Sequence, residues 1–334
     1  SERSVDYPCI AVTTGAYREY VDSTVAPHLL GRIGKIYAEE YADLKEKGYL
    51  MSDLVGKEGV EKAMESYLRG TSGSRLIERN ARGEVLDVQT ISEPTQGNSV
   101  ILTIDKNLQL TAQKALERTI RSLRSEDDID DANAGAVVVV QVDTGETLAS
   151  ATYPTYDLTE YTANYEALSA DPDKPLFNRA FNGTYAPGST FKMATATAIL
   201  QENIITPTTK IRDQGIYKKY TDYQPKCWRY TDYGETHGSI TVSEALRDSC
   251  NYFFYDSADR LGIEALNKYC RQLGLGSKTG LELGESSGTL AGPEYRASIN
   301  ASWYPGDTLQ AAIGQSDNLF TPVQLATYLA TIVN

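Results

Sequence analysis

Apolar positions follow two rhythms along this chain, and the changes between them give the first picture of its fold. Tyr37 to Lys47 (YAEEYADLKEK) carries its apolar residues at helical spacing and stops at Gly48, a residue suited to a helix C-cap. Glu58 to Arg69 repeats that spacing and stops at Gly70. Gly-, Ser- and Asn-rich turns follow, and then Val85 to Ile91 alternates as a strand. The breaker-rich stretch Glu93 to Asn98 marks a boundary between a first domain over 1–97 and a second over 98–334.

Past the boundary, Ser99 to Ile104 (SVILTI) predicts a short strand, and Asp105 an N-cap for a helix over Leu108 to Leu123. The acidic run Glu126 to Asp131 reads as a solvated loop. Gly135 to Val142 and Glu146 to Thr152 are two β-rich runs joined by Asp143-Thr144-Gly145, a hairpin signal. Helical spacing then dominates over Ser189 to Leu200, Val242 to Arg247, Tyr252 to Leu261 and Pro322 to Ile332. The last has Thr321 as cap, Pro322 at the first helical position and Gln324 three residues after the cap. Strands around a helix-rich middle predict an α+β fold, with a central antiparallel sheet covered by helices.

Composition narrows the function. The net charge of −13 repels a nucleic-acid backbone, and no Lys/Arg run offsets it, so no nucleic-acid partner is expected. Tyr outnumbers Phe by 23 to 6, which suits grooves for peptides or sugars and equally suits half-buried strands. No apolar run approaches the ~18 residues of a membrane span. The chain lacks an initiator Met and reads as an excised piece, so a missing anchor says nothing about the whole protein. Of four cysteines, Cys270 lies at helical apolar spacing with Leu266 and reads as a core thiol, whereas Cys9 has no evident partner.

The chemistry concentrates around Tyr185-Ala186-Pro187-Gly188-Ser189-Thr190-Phe191-Lys192. Ser189 follows a Pro-Gly turn at the head of an apolar helix, and Lys192, three residues on, shares its face. The helix N-terminus favours a developing alkoxide, and a desolvated Lys with lowered pKa can take the Ser proton. Taken alone, Ser-x-x-Lys is also what a capping Ser and a solvated Lys would look like. Downstream, Arg247-Asp248-Ser249-Cys250-Asn251 lies between two helical stretches, where Ser249 can relay a proton and Asn251 can present its amide to a peptide. A Ser or Asn that merely caps the next helix is the competing reading.

Ser-x-x-Lys followed some 60 residues later by Ser-x-Asn is the motif order of penicillin-binding proteins and β-lactamases. The chain resembles the former over nearly its whole length. Asn178-Arg179-Ala180, Ala311 to Gln324 with Gly314-Gln315, and Ile101 to Gln109 resemble the family's transpeptidase domain. His28-Leu29-Leu30-Gly31, Leu44 to Tyr49, Gly56 to Glu61 and Tyr67 to Gly70 resemble the pedestal of the elongation-type class B members, a dimerisation and partner-docking domain.

The resemblance implies a serine D,D-transpeptidase of cell elongation and shape, acting on peptidoglycan stem peptides and acylated by β-lactam antibiotics. Ser189, Lys192, Ser249 and Asn251 would be its catalytic residues, with the Ser189 backbone N–H and one from a facing strand holding the oxyanion. A SEDS-family glycan polymerase in the membrane is the implied protein partner. The implied place is the outer face of the bacterial cytoplasmic membrane, anchored by an N-terminal helix that this chain does not include. One departure stands out: the family's Lys-Thr-Gly belongs on an inner strand well past Gly314-Gln315. The triplet here, Lys278-Thr279-Gly280, comes earlier and reads as a decoy, so the true third motif is expected beyond Asn334.

Between the two main motifs lie Cys227-Trp228, His237-Gly238 and Cys250, two thiols and an imidazole. Zinc takes four such ligands in a tetrahedron, and Asp213 is the candidate fourth. A subset of elongation-type relatives looks similar at these four places and binds zinc there. A Cys227–Cys250 disulfide and two unlinked thiols remain the alternatives. His28 follows Pro27 and reads as structural. A β-lactamase or β-lactam sensor would leave the first hundred residues unexplained, and a non-catalytic cell-wall scaffold would leave Ser189 unacylated.

Overall fold

The computed structural model describes residues 17–126, 129 and 131–334. Cys9 and residues 127, 128 and 130 of the acidic stretch lie outside the described residues. Two compact units form, one from the chain up to Thr103 with Thr155–Leu176, the other from Ile104–Pro154 with Phe177–Asn334.

In the first unit, a short helix α1 (Pro27–Leu30) precedes strand β1 (Ile33–Lys35), helix α2 (Ala38–Glu46) and strand β2 (Leu54–Gly56). The strands pair antiparallel, and buried Ile36, Tyr49 and Val55 pack with Tyr41 and Leu44 beside them. Helix α2 starts where the Tyr37 N–H donates to the Glu40 carboxylate at 2.9 Å. The single helix expected from Glu58 to Arg69 is broken at Met64 into α3 (Gly59–Ala63) and α4 (Glu65–Leu68). Past the break, Glu65 accepts from the Gly56 N–H at 2.8 Å and the Tyr49 hydroxyl at 3.1 Å, contacts that outweigh one more helical turn. His28 is structural, its Nε2 2.6 Å from the Pro175 carbonyl and its ring edge-on to Tyr156.

Residues 71–84 are not only turns, as the sequence suggests. Strand β3 (Ser74–Arg79) runs antiparallel to β4 (Val85–Ser92). Asn80 closes the turn, its Oδ1 accepting from the Arg82 and Glu84 N–H groups. Every residue of both strands is exposed, so the ribbon has no buried face to imprint an apolar alternation on β3.

The strand expected over Ser99 to Ile104, where the chain passes from the first unit to the second, does not form. That segment has no ladder partner, and Ile101 is 95% exposed. Asp105 caps helix α5 (Lys106–Glu126), its Oδ1 accepting from the Leu108 N–H at 2.8 Å. Strands β5 (Gly135–Val140) and β6 (Thr147–Tyr153) form the expected antiparallel hairpin. Helix α5 packs on it through Ala112, Leu108 and Leu116 against Ala149, Ala151, Val137 and Val139. Buried Gln109 binds Ser150 like a neighbouring strand, accepting its N–H at 2.7 Å and donating to its carbonyl at 2.8 Å.

After helix α6 (Tyr161–Ala170), which belongs to the first unit, a 3₁₀ turn (Gly188–Phe191) leads into α7 (Lys192–Gln201). Strands β7 (Ile211–Arg212) and β8 (Ser239–Ile240) pair around helix α8 (Trp228–Tyr233). Then come α9 (Val242–Arg247), α10 (Asn251–Leu261), α11 (Ile263–Gln272), α12 (Pro293–Ser298), α13 (Pro305–Ala312) and α14 (Pro322–Val333). Helix α7 is the hub: α9, α10 and α11 pack on it, α10 also meets α13, and α14 lies along β5. Fully buried Ala194 and Ala198 let the neighbouring helices come close. The core flanking α7 includes Ile199, Phe253, Phe254, Leu309, Leu266, Phe191 and Phe320, each large side chain contributing about 2 kcal/mol. Cys270 is buried in it, as expected, and burial pushes its thiol pKa up. A sheet covered by helices describes this unit.

Candidate active site

Ser189 stands in the first turn of the helix that α7 continues, exposed, while Lys192 on the same face is 1% exposed. The turn is held from behind. The Gly188 N–H donates to the Gly314 carbonyl at 2.9 Å. The Tyr328 hydroxyl donates to the Thr190 carbonyl at 2.8 Å, and Thr195 Oγ1 to the Ala312 carbonyl at 2.7 Å. Phe191 stacks on Phe320 with ring centroids 6.0 Å apart. Gly314 has φ +76°, and a Cβ there would stand 2.1 Å from the Gly188 carbonyl oxygen.

The second motif reaches the same point from the far side of α7. Thr241 and Glu244 form a capping box at the start of α9, which ends at Asp248. Ser249 follows in a left-handed conformation, φ +52°, and Asn251 begins α10. These backbone turns bring the four predicted residues together. The Ser249 hydroxyl lies 2.9 Å from Ser189 Oγ, and Lys192 Nζ lies 3.0 Å from Ser249 Oγ. Nζ also donates to the Ser249 carbonyl at 2.9 Å and to Asn251 Oδ1 at 2.5 Å. Those contacts account for all three N–H bonds of an ammonium. Burial draws the Lys192 amine down from the ordinary lysine range to about 8, against an upward pull from the Cys250 and Cys227 sulfurs. A neutral amine with a free lone pair is therefore within reach near neutral pH. With both hydroxyl rotors turned, the chain Ser189–Ser249–Lys192 carries a proton away from Ser189.

Asp213, Cys227, His237 and Cys250 also converge, with one donor atom from each within 4.8 Å of all the others. Cys227 Sγ is 3.8 Å from Cys250 Sγ, with no bond between them, and 3.5 Å from His237 Nδ1. His237 Nδ1 lies 2.8 Å from Asp213 Oδ2, and Cys250 Sγ 3.7 Å from that oxygen. Burial pushes the Asp213 carboxyl up, but the His237 and Gly215 N–H groups outweigh it and hold the pKa low. Contact with Cys250 draws the Cys227 thiol down, and the same contact together with burial pushes Cys250 up.

Lys278-Thr279-Gly280 makes no hydrogen bond to the Ser189 cluster. Buried Glu285 instead accepts from Thr279 Oγ1 and from the Gly280 N–H, both at 2.9 Å. Gln324 ties the same loop to α14 through the Ser277 and Ser287 carbonyls. Glu285 and the backing role of Gly314 were not legible as contacts in sequence. A Gly in a Gly-Gln pair before a capped helix was the only hint of the second.

Comparison with known proteins shows the family. The family model described as penicillin binding protein transpeptidase domain matches residues 135–334, and that of the penicillin-binding protein dimerisation domain matches 1–102. The peptidoglycan D,D-transpeptidase MrdA of Acinetobacter baumannii is 32% identical over 342 residues, covering 100% of this chain and 48% of that protein. The MrdA of Escherichia coli is 31% identical over 345 residues, covering 98% and 51%. The chain thus spans about half the length of the curated relatives it matches. Among solved structures, one chain of a peptidoglycan synthase complex that coordinates polymerization and crosslinking is 36% identical, TM-score 0.82. It matches over 94% of this chain and 54% of its own length. The Helicobacter pylori penicillin-binding protein in complex with MreC is 30% identical, TM-score 0.82, over 94% and 57%. The chain belongs to the penicillin-binding-protein transpeptidase family.

Proposed function

We propose that this chain carries the acyl-transfer site of a peptidoglycan D,D-transpeptidase with Ser189 as nucleophile. The observation that carries the reading is the unbroken contact from Ser189 Oγ through Ser249 Oγ to the buried Lys192 amine. Ser189 Oγ attacks the carbonyl between two D-Ala residues, and its proton passes through Ser249 to neutral Lys192. The same proton returns to the departing amine as the peptide bond breaks, which leaves an ester on Ser189. An amine of a neighbouring strand then attacks that ester, gives up a proton along the same path, and frees Ser189. Asn251, whose carbonyl oxygen steadies Lys192 and whose amide also hydrogen-bonds Tyr255, keeps a second N–H for the peptide backbone. A β-lactam acylates Ser189 likewise, but its amine stays tethered and the ester persists.

The resemblance of the motifs extends the proposal to cell elongation, to a SEDS-family glycan polymerase as partner and to the outer face of the cytoplasmic membrane. A similar chain's place in a peptidoglycan synthase complex that coordinates polymerization and crosslinking supports a polymerising partner. Labelling of the full-length protein with a fluorescent penicillin, followed by intact-mass analysis, tests the chemistry. Ser189→Ala should abolish the adduct, and an adduct that persists on this variant would sink the assignment.

The same reading assigns Asp213, Cys227, His237 and Cys250 to one zinc ion. Sulfurs at the usual ~2.3 Å from a tetrahedral zinc stand about 3.8 Å apart, which fits the spacing of Cys227 and Cys250. Four protein ligands leave no open position, so the metal would brace the turn and do no chemistry. Cys250 lies between Ser249 and Asn251, so bracing it steadies both residues that face Lys192.

A further inference from the structure

We propose that Trp228 is a positioning residue that keeps Ser249 in its left-handed conformation and thereby aligns the Ser249 hydroxyl between Ser189 and Lys192. The inference rests on the acyl-transfer reading and adds a residue to it.

Ser249 is not glycine, yet its φ of +52° lies in the left-handed region that a side chain disfavours, so its surroundings must hold it. Its N–H is a poor anchor, reaching the Leu246 carbonyl only at 3.3 Å. Its carbonyl is the better one. The Trp228 indole Nε1–H donates to the Ser249 carbonyl at 3.0 Å and to the preceding Asp248 carbonyl at 3.3 Å. Both carbonyls lie just past the end of α9, where no further helical N–H can satisfy them.

The indole has supports of its own. Trp228 is the first residue of α8, and its ring stands edge-on to His237 at 5.6 Å and to Tyr233 at 6.2 Å. The ring is 36% exposed, and these edge contacts together with its place at the head of α8 set the direction of its N–H.

The Ser249 carbonyl has a second donor, Lys192 Nζ, at 2.9 Å. The two donors occupy its two lone pairs. When Lys192 presents a lone pair to the hydroxyl chain, its contact with Ser249 Oγ reverses, the hydroxyl donating to Nζ, while the two remaining N–H bonds keep the Ser249 carbonyl and Asn251 Oδ1. Trp228 and Lys192 therefore hold the Ser249 carbonyl together both before and after the proton arrives. Trp228 thus touches no substrate in this scheme. It keeps the turn in place through the change in Lys192.

The test uses the full-length protein and Trp228→Phe, which keeps a ring but removes the N–H. The first-order acylation constant by a penicillin should fall about tenfold, the scale of one hydrogen bond, while the dissociation constant of the non-covalent complex stays within about twofold. Amide exchange at Ser249 and Cys250 should quicken by a similar factor with the melting temperature unchanged. Should Trp228→Phe fold poorly, 3-benzothienylalanine at position 228 keeps the ring shape with sulfur in place of N–H and decides the matter. Wild-type acylation and wild-type exchange in either variant overturn the proposal. So does a parallel loss of acylation, binding and melting temperature, which marks a merely structural role. If the wild-type protein itself is not acylated, the acyl-transfer reading fails, and the exchange measurement alone judges Trp228.

Discussion

Gly314 sits directly behind Gly188. Its carbonyl accepts the Gly188 N–H at 2.9 Å, and a methyl group on Gly314 would meet the Gly188 carbonyl oxygen and Phe191 Cβ. Gly314→Ala should therefore combine a strained positive φ with a steric clash, for a loss of about 2–4 kcal/mol in denaturant unfolding. Acylation of Ser189 should drop with it, because the clash pushes on the nucleophile turn. Wild-type stability in this variant would show that the two turns are not in contact.

Lys192 sets the pH dependence. The hydroxyl chain needs the neutral amine, and the neutral fraction grows as pH rises through about 8. Acylation should climb roughly tenfold per pH unit below that value and level off above it. Lys192→Arg keeps a positive charge that cannot be surrendered, and should cost ~10²-fold or more at every pH. A flat profile between pH 6 and 9 in the wild-type protein would remove Lys192 from the role of base.

Metal content can be measured without any turnover. Protein purified without added zinc should carry close to one equivalent, and Cys227→Ser should lose it. A chelator should lower the melting temperature and slow acylation together. Little zinc, with Cys227 and Cys250 alkylated readily in the folded state, would end the zinc assignment. A mass lower by about two protons with no metal would favour a disulfide.

Lys278 should be dispensable for acylation, since its loop is tied to Glu285 and Gln324 and not to Ser189. Lys278→Ala in the full-length protein should react with a penicillin at nearly the wild-type rate. Glu285→Ala should instead destabilise the fold by about 1–3 kcal/mol, leaving the Thr279 hydroxyl and Gly280 N–H without an acceptor. A kinetic loss in Lys278→Ala equal to that of Lys192→Arg would mean that this triplet serves the site.

Helices with one buried face were legible from spacing alone. Val242–Arg247 and Pro322–Val333 carry caps, Thr241 with Glu244 and Thr321 with Gln324, that act within four residues and need no tertiary context. Ser189 and Lys192 were legible for the same reason, being three apart on one helix. The contact of that pair with Ser249 depends on a left-handed turn and on α10 packing against α7, which no local pattern encodes. Helices α8 (Trp228–Tyr233) and α13 (Pro305–Ala312) were not legible because their N-caps are Cys227 and Tyr304, which carry none of the Ser, Thr, Asp or Asn start signal. At Ser99 to Ile104 the apolar run misled, because β character needs a partner strand and none pairs there.

The β3–β4 ribbon (Ser74–Arg79 with Val85–Ser92) buries no side chain on either face, so its ladder is held by hydrogen bonds that water can replace. A two-stranded ribbon of this kind is marginal by itself. Its opening is a local event with a free energy far below that of the whole fold, and it exposes no core to the solvent. A protease at low dose should therefore cut first at the Asn80–Glu84 turn, in molecules that are otherwise native. The nicked protein should still react at Ser189, since no hydrogen bond of the Ser189–Ser249–Lys192 chain passes through the ribbon.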